Sequence, residues 1–376
     1  MKNIPFIDLK AQQQFLGNKI QDAINGVLEH GRYIMGPEIQ TFEGLLAKFG
    51  ELERAVSCSN GTDAIQLPLM AWNIGPGDAV FVPSFTFAST AEVVALVGAT
   101  PVFVEVLPDT FNMDPQRLLA AIEEVEAEGK LTPRAVIAVD LFGQIANYPA
   151  LQKITADKGL KLIADAAQGF GSTLDGSQAG KWADVVTTSF FPAKPLGCYG
   201  DGGAVLTNDH EVADIMASLR VHGKGSDKYD NVRIGMNARL DTIQAAVLIE
   251  KIAIFPGEIE KRNKVAKQYT QGLHNVVTTP FVPEGFVSTW AQYTIRVSDR
   301  EAVQAKLKEA NVPAVVYYPT PLHMQTAYSK FPIGGGELAV SEQLAGEVLS
   351  LPMHPYMEDD VINYIIESVR EAVRGE

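Results

Sequence analysis

Apolar residues recur along this chain with two different periods, and the switching between them outlines its elements. Residues 11–29 carry Phe15, Ile20, Ile24 and Leu28 near helical spacing, which predicts an amphipathic helix. The segment PEIQTFEGLLAKF, 37–49, predicts another, with Pro37 suited to a first turn. Short apolar runs then alternate with helical stretches. RAVSC (54–58) predicts a strand, followed by a helix from Thr62 to about Trp72. AVFVPSF (79–85) predicts a strand, followed by a helix from about Ser89 to Val97. PVFVEV (101–106), AVIAVDLF (135–142) and LKLIADA (160–166) predict further strands with helices between them, and ADVVTTSF (183–190) is a β-rich run. Such alternation implies right-handed βαβ units and a mostly parallel sheet.

The pattern changes after about residue 255. WAQYTIRV (290–297) predicts a strand, REAVQAKLKEA (300–310) a helix and PAVVYYP (313–319) a strand, with two helices near 338–348 and 358–373. FPGE (255–258) and PFVPEGF (280–286) are boundary candidates. The expected organisation is α/β, with a large domain over 1–255 and a smaller α+β domain over 256–376.

Composition narrows the function. Hydrophobic residues make up 46% of the 376 residues, enough for a sizeable core. The formal charge of −14, with no Lys/Arg run to offset it, argues against nucleic acid as a partner, so an anionic ligand needs a locally basic or N–H-rich site. Cys58 and Cys198 are the only cysteines, too few for a disulfide framework. The N-terminus lacks an apolar signal core and no apolar run approaches the roughly 20 residues of a membrane span, so a cytoplasmic protein without membrane contact is expected.

The chemistry concentrates in four short strings. SNGTDAI (59–65) ends a strand with Gly61 and starts a helix at Thr62, where free N–H groups and the helix dipole favour phosphate. DAAQGFG (165–171) places Asp165 at the carboxyl end of a strand, where doubly wound sheets bind ligands, with Gln168 three residues on. SFFPAKPLG (189–197) holds Lys194 in a turn between Pro192 and Pro195, with Ser189 at the end of the preceding β-run. Phe87, in PSFTFAST, lies just past a strand end and could stack on a flat ring. Each also has a plain reading: a capped helix, a loop-start acid, a solvated lysine, a strand-end serine, a core phenylalanine. Asn237 and Arg239, in GMNARLD, likewise read as a cap and a solvated arginine, and His323 and His354 as structural. No His forms a metal-ligand pattern, and GxSxG, GxxxxGK[ST] and GxGxxG are missing. A lysine, an acid and a phosphate cradle together are what pyridoxal 5'-phosphate requires.

SNGTDAI, FTFAST, DAAQ, SFFPAKPLG with GDGGA, NARLDTIQAA, YYPTPL and LPMHP occur in one order, joined by FIDLKAQQ and GRYIMGPEIQTFE at the start. In these the chain resembles, over nearly its full length, the DegT/DnrJ/EryC1/StrS family of nucleotide-sugar aminotransferases, and within it the UDP-2-acetamido-3-keto-glucuronate enzymes of bacterial surface-polysaccharide (O-antigen) synthesis. The resemblance implies an aspartate-aminotransferase-like (type I) pyridoxal-phosphate fold and transamination with L-glutamate as donor. It implies that Lys194 is the Schiff-base lysine, that Asp165 pairs with the ring nitrogen, that Gln168 contacts the ring and Phe87 stacks on it. Gly61, Thr62 and Ser189 would bind the phosphate, and Asn237 would reach it from the neighbouring subunit of a homodimer with shared active sites. Arg239, Tyr317 and Tyr318 are the substrate candidates. Tyr317 stands where many relatives have a histidine, which puts that histidine's role on Tyr317 or removes it. A dTDP-linked 3- or 4-keto-6-deoxyhexose is the alternative substrate. A pyridoxal-phosphate lyase or desulfurase and a cofactor-binding regulator are the more distant alternatives; the first often needs a mobile cysteine, the second an additional binding segment.

Overall fold

A computed structural model describes residues 4–227 and 229–374. Helices α1 (Leu9–Leu16), α2 (Lys19–His30) and α3 (Pro37–Phe49) come first. The βα part follows: β1 (Arg54–Cys58), α4 (Gly61–Ala71), β2 (Asp78–Pro83), α5 (Ser89–Leu96), β3 (Thr100–Val104), α6 (Pro115–Glu128), β4 (Thr132–Val139), α7 (Tyr148–Lys158), β5 (Lys161–Asp165), the short β6 (Thr173–Leu174), β7 (Val185–Ser189), β8 (Gly203–Thr207) and α8 (His210–Leu219). The long α9 (Thr242–Leu273) leads into β9 (Phe286–Val287), β10 (Tyr293–Arg296), α10 (Arg300–Glu309), α11 (Ala339–Glu347), β11 (Val348–Leu351) and α12 (Asp359–Arg374).

Seven strands form one sheet in the order β1-β8-β7-β5-β4-β2-β3. β8 runs antiparallel to both neighbours, and the other pairings are parallel. The strands are apolar throughout because both faces are covered. On one face Phe81, Val136, Ala138, Leu162 and Ala164 pack with α3, α6, α7 and α9. On the other, Val80, Val82, Ile137, Ile163 and Val205 pack with α4, α5 and α8. Asp165 has the parity of Ile163, so its side chain starts on the α4 face at the end of β5.

Several expectations need correction. The helix read over 11–29 breaks at Gly17, which sits at φ +58° and ends α1; Phe15 and Leu28 are exposed, while Ile20 is buried. At the expected domain boundary, 255/256, α9 runs on unbroken, and its two halves enter different hydrophobic clusters. Pro256 does not end that helix, because Phe255 and Glu258 on either side of it are buried against neighbouring elements. The N-terminal half of α9 completes the core under the sheet, whereas Val265, Ala266, Tyr269 and Leu273 pack with Tyr293, Leu349, Ile362 and Ile365 in a separate cluster. The strand read over 313–319 makes only a bridge from Val315 to Ser350; β11, which follows the helix expected near 338–348 and was not read as a strand, is what pairs antiparallel with β10. β8 is an additional strand, hidden behind its Gly-rich start. Among the described residues no helix is long and apolar enough to cross a membrane.

Phe42 on α3 is fully buried and meets Phe190 edge-on at 5.3 Å between ring centroids, directly before the Lys194 turn. Phe42→Ala is expected to lower unfolding free energy by about 3–5 kcal/mol in urea titrations. A loss below about 1 kcal/mol would show that this contact does not anchor α3.

Candidate active site

The carboxyl ends of β1, β2, β5 and β7 converge with the start of α4. Asn60 caps α4 by accepting from the Asp63 amide at 2.8 Å, and Asp63 is further tied by the Asn60 amide at 3.0 Å and by the Ser59 hydroxyl. The Asp63 carboxylate is therefore engaged, and the Gly61 and Thr62 amides point out of the first turn with no protein acceptor among the described residues. A Cβ on Gly61 would lie 2.6 Å from the Ser189 Cβ, and one on Gly203 would lie 2.3 Å from the Asn60 carbonyl oxygen. Glycine at both places lets α4 press onto the ends of β7 and β8. The result is a cradle of two free amides, the Thr62 side chain and the Ser189 hydroxyl.

Lys194 sits in a loop pinned at its base, where Phe190 N donates to Gly202 O at 2.7 Å and Cys198 N to Phe190 O at 2.7 Å. A further turn bond joins Lys194 N to Phe191 O at 2.8 Å. Lys194 is half-buried, and protein packs its amine closely enough that burial lowers its pKa, opposed by the Asp165 carboxylate. Asp165 is buried, and burial pushes its carboxyl up to about 6 against the opposing pull of the Ala167 amide, 3.0 Å away, and of Lys194. The two strings named in the sequence thus meet as one desolvated acid–amine pair.

Gln168 is buried and engaged at both ends: its Oε1 accepts from Phe142 N at 2.8 Å, and its Nε2 donates to the Tyr318 hydroxyl at 3.2 Å. It therefore acts first as a strut that fixes Tyr318, more than as a free arm reaching for a ring. Burial raises the pKa of Tyr318 and of Tyr317. Phe87 is not a core residue; it is 54% exposed, with its ring 6.3 Å from that of Tyr318. Tyr317 lies between Tyr318 at 5.8 Å and Phe6 at 6.3 Å.

Asn237 and Arg239 stand apart from this set. Asn237 is exposed and bridges to Val221, and Arg239 is half-buried with no side-chain partner among the described residues. Of the two histidines, His323 makes side-chain contacts, while the buried His354 has an Nδ1 with no hydrogen-bond partner among the described residues. His323 joins the Ser84 hydroxyl at 2.6 Å to Glu342 at 3.2 Å, and His354 is buried, with its pKa pushed down to about 4 chiefly by that burial. The described residues hold no cluster of His, Cys, Asp and Glu that could bind a metal.

Among the buried charged groups that escaped the sequence reading are Asp140 and Lys251. Asp140 directly follows β4, one residue beyond the position that pairs with Asp165 at the end of β5, and its string IAVD carries the same signal as LIAD. Its carboxylate accepts from Ala146 N at 2.9 Å and Tyr148 OH at 2.8 Å, and burial pushes it up to about 7. Lys251 lies on α9, inside an apolar run.

The arrangement fits pyridoxal phosphate. The cradle suits a phosphate dianion, Asp165 suits a ring N–H, Phe87 offers a ring face, and Lys194 offers an amine of lowered basicity. Comparisons agree. A relative from Pseudomonas aeruginosa, UDP-2-acetamido-2-deoxy-3-oxo-D-glucuronate aminotransferase, is 47% identical over 96% of this chain and 98% of its own. A dTDP-3-amino-3,4,6-trideoxy-alpha-D-glucose transaminase from Streptomyces venezuelae is 37% identical over 98% of this chain and 96% of its own. Among solved structures, a DegT DnrJ EryC1 StrS aminotransferase from Brucella abortus superposes with TM-score 0.97 at 51% identity, covering 98% of this chain and 99% of that one. Residues 14–370 match the DegT/DnrJ/EryC1/StrS aminotransferase family, so the chain belongs to that family and is a pyridoxal-phosphate-dependent aminotransferase of the aspartate-aminotransferase-like α/β fold.

Proposed function

We propose that this aminotransferase carries an amino group from L-glutamate to UDP-linked 2-acetamido-3-keto-glucuronic acid, in the cytoplasm, for bacterial surface-polysaccharide (O-antigen) assembly. The observation that carries the proposal is the 47% identity, along nearly both full chains, to a protein named for amination of that uronate. A dTDP-linked 3- or 4-keto-6-deoxyhexose is the second reading, favoured by the 37% identity to the Streptomyces venezuelae transaminase.

When bound, pyridoxal phosphate supplies a carbonyl that condenses with amines and a protonated ring that withdraws electron density. The chain's own groups do the rest. Gly61, Thr62 and Ser189 hold the phosphate. Asp165 keeps the ring nitrogen protonated, and its raised pKa makes it a stronger acceptor of that proton than an ordinary aspartate. Phe87 covers one ring face, and Gln168 holds Tyr318 beside the cofactor. The Lys194 amine, lowered in basicity, would take the proton from the donor Cα as general base and, as general acid, deliver it to the cofactor carbon that had carried the carbonyl, across the shared nitrogen. Lys194→Ala is expected to abolish turnover and the cofactor's visible absorbance shift on binding. Asp165→Asn should retain cofactor but lose rate severely. A Lys194→Ala enzyme cycling at the normal rate, or an Asp165→Asn enzyme within about tenfold of wild type, roughly 1.4 kcal/mol, contradicts these roles.

The active unit is proposed to be a homodimer in which Asn237 completes the partner's phosphate site. In support, Asn237 lies beside exposed apolar side chains that a single chain leaves uncovered: Tyr33, Ile34, Val232 and Ile234 are 48%, 47%, 53% and 91% exposed, and Ile34 bridges to Asp241. Mixing inactive Lys194→Ala with inactive Asn237→Ala protein should restore part of the activity as subunits exchange, because one intact site forms per heterodimer. No recovery despite exchange, or a monomer at assay concentration, counts against a shared site.

Arg239 is proposed to meet the sugar carboxylate. At a formal charge of −14 the chain repels an anionic sugar, so a local cation is required, and a guanidinium grips a carboxylate in a two-point fork that lysine cannot reproduce. Wild type should show higher kcat/KM for the uronate than for the matching neutral 3-keto sugar, and Arg239→Lys should narrow that gap. Equal loss for both sugars removes the carboxylate role.

A further inference from the structure

Along α9 three polar residues recur at intervals of seven: Gln244, Lys251 and Glu258. Seven residues fall within about 20° of two full turns, so the three lie on one line of the helix. That line is buried at Lys251, which is 1% exposed, and at Glu258, which is 3% exposed. Glu258 is engaged elsewhere, accepting from Gln12 at 2.9 Å and from the Tyr356 hydroxyl at 2.5 Å. The other two residues face the loop that carries Lys194. Gln244 brackets the Tyr199 backbone, accepting from its amide at 2.8 Å and donating to its carbonyl at 3.4 Å. Lys251 Nζ donates to the Gly197 carbonyl at 2.6 Å and lies 4.2 Å from the centre of the Tyr199 ring.

A buried ammonium needs compensation. Glu258 is about 10 Å further along the helix axis, beyond ion-pair range, and Lys251 forms no ion pair among the described residues. Burial accordingly lowers its pKa to about 8, opposed by Glu258 and Cys198. What the amine does contact is the return limb of one loop. Gly197 is where that limb folds back, since a Cβ there would lie 2.5 Å from the Pro192 carbonyl oxygen. Lys194 is three residues upstream.

We propose that Lys251 is a positioning residue for Lys194: with Gln244 it fixes the return limb of the loop over 190–202 and so keeps the Lys194 amine in its desolvated place beside Asp165. The proposal rests on the reading of Lys194 as the reactive lysine. Burial and Asp165 are what shift Lys194, and Lys251 touches the loop backbone at Gly197 rather than Lys194 itself, so the influence proposed for it is mechanical.

The test uses the full chain freed of cofactor. Acylation of Lys194 by an amine-reactive anhydride is followed by peptide mass spectrometry across pH. In wild type the profile lies below that of an ordinary lysine. Lys251→Met keeps the length and removes the donor; it is expected to move the profile toward that of an ordinary lysine. In the loaded enzyme it should lower kcat at least about tenfold, with KM for the nucleotide sugar within about threefold. Lys251→Gln, which restores a donor, should recover part of both. A folded Lys251→Met protein with wild-type profile and kcat overturns the proposal, as does a lower Tm with an unmoved Lys194 profile. If Lys251→Met does not fold, Gln244→Ala must move the profile in the same direction, and an unmoved profile overturns the proposal equally. Turnover by Lys194→Ala would instead remove the reading of Lys194 itself, and the acylation profile, which needs no turnover, separates the two failures.

Discussion

Asp165 and Lys194 are an acid and an amine whose burial drives both toward their uncharged forms, while each holds the other back. The consequence for stability follows from the sign of the shift. Asp165 has its native pKa raised from 3.8 to about 6, so its contribution to stability is greatest below 3.8 and falls as pH rises through 6. At neutral pH the carboxylate in the cofactor-free chain therefore costs about 3 kcal/mol. A ring N–H opposite Asp165 removes that cost. The same desolvation that destabilises the free site makes Lys194 a usable nucleophile and base.

This pair depends on the layers around it. Asp165 is desolvated because β5 lies in the interior of a sheet covered on both faces, and it points to the α4 face because it keeps the parity of Ile163. Gly61 and Gly203 allow the start of α4 to sit directly over the ends of β7 and β8, which brings its free amides to the same place as the Ser189 hydroxyl. Gln168 and Tyr318 close another side, and through Tyr318 the segment after α10 is joined to the loop after β5. Removing any one of these would readmit water to the pair and return both groups toward their ordinary ionisation.

Much of this was legible in the sequence, for physical reasons that differ by residue. The interior strands were visible because burial on both faces leaves an unbroken apolar run, as in AVIAV and LKLIA. The site strings were visible because Gly, Asp and Lys at strand ends have few structural uses in combination. The break at Gly17 was concealed by apolar periodicity that continues on either side of it, and a positive φ leaves no mark beyond the glycine itself. Pro256 misled in the opposite direction, since burial of the surrounding α9 overrides the lost hydrogen bond. The strand β11 and the run 313–319 are equally apolar, and only tertiary pairing with β10 decides between them. Lys251 looked like an ordinary charged residue because its importance lies in the Gly197 carbonyl it meets, 54 residues away; Asp140 carried the same strand-end signal as Asp165, and its partners Ala146 and Tyr148 are close in sequence.

The most direct measurement is a titration of the pair itself by NMR in the cofactor-free chain, using carboxyl-labelled aspartate and amine-labelled lysine, with Asp165→Asn and Lys194→Ala proteins to assign the signals. The account predicts an Asp165 carboxyl that titrates near 6 and a Lys194 amine that loses its proton below the ordinary lysine value of 10.5. After pyridoxal phosphate is added, Asp165 should remain ionised through the range in which it titrated before. An Asp165 signal already ionised near 3.8 together with a Lys194 signal at 10.5 in the cofactor-free chain would mean that water reaches both groups, and would contradict the desolvated pair on which the site is built.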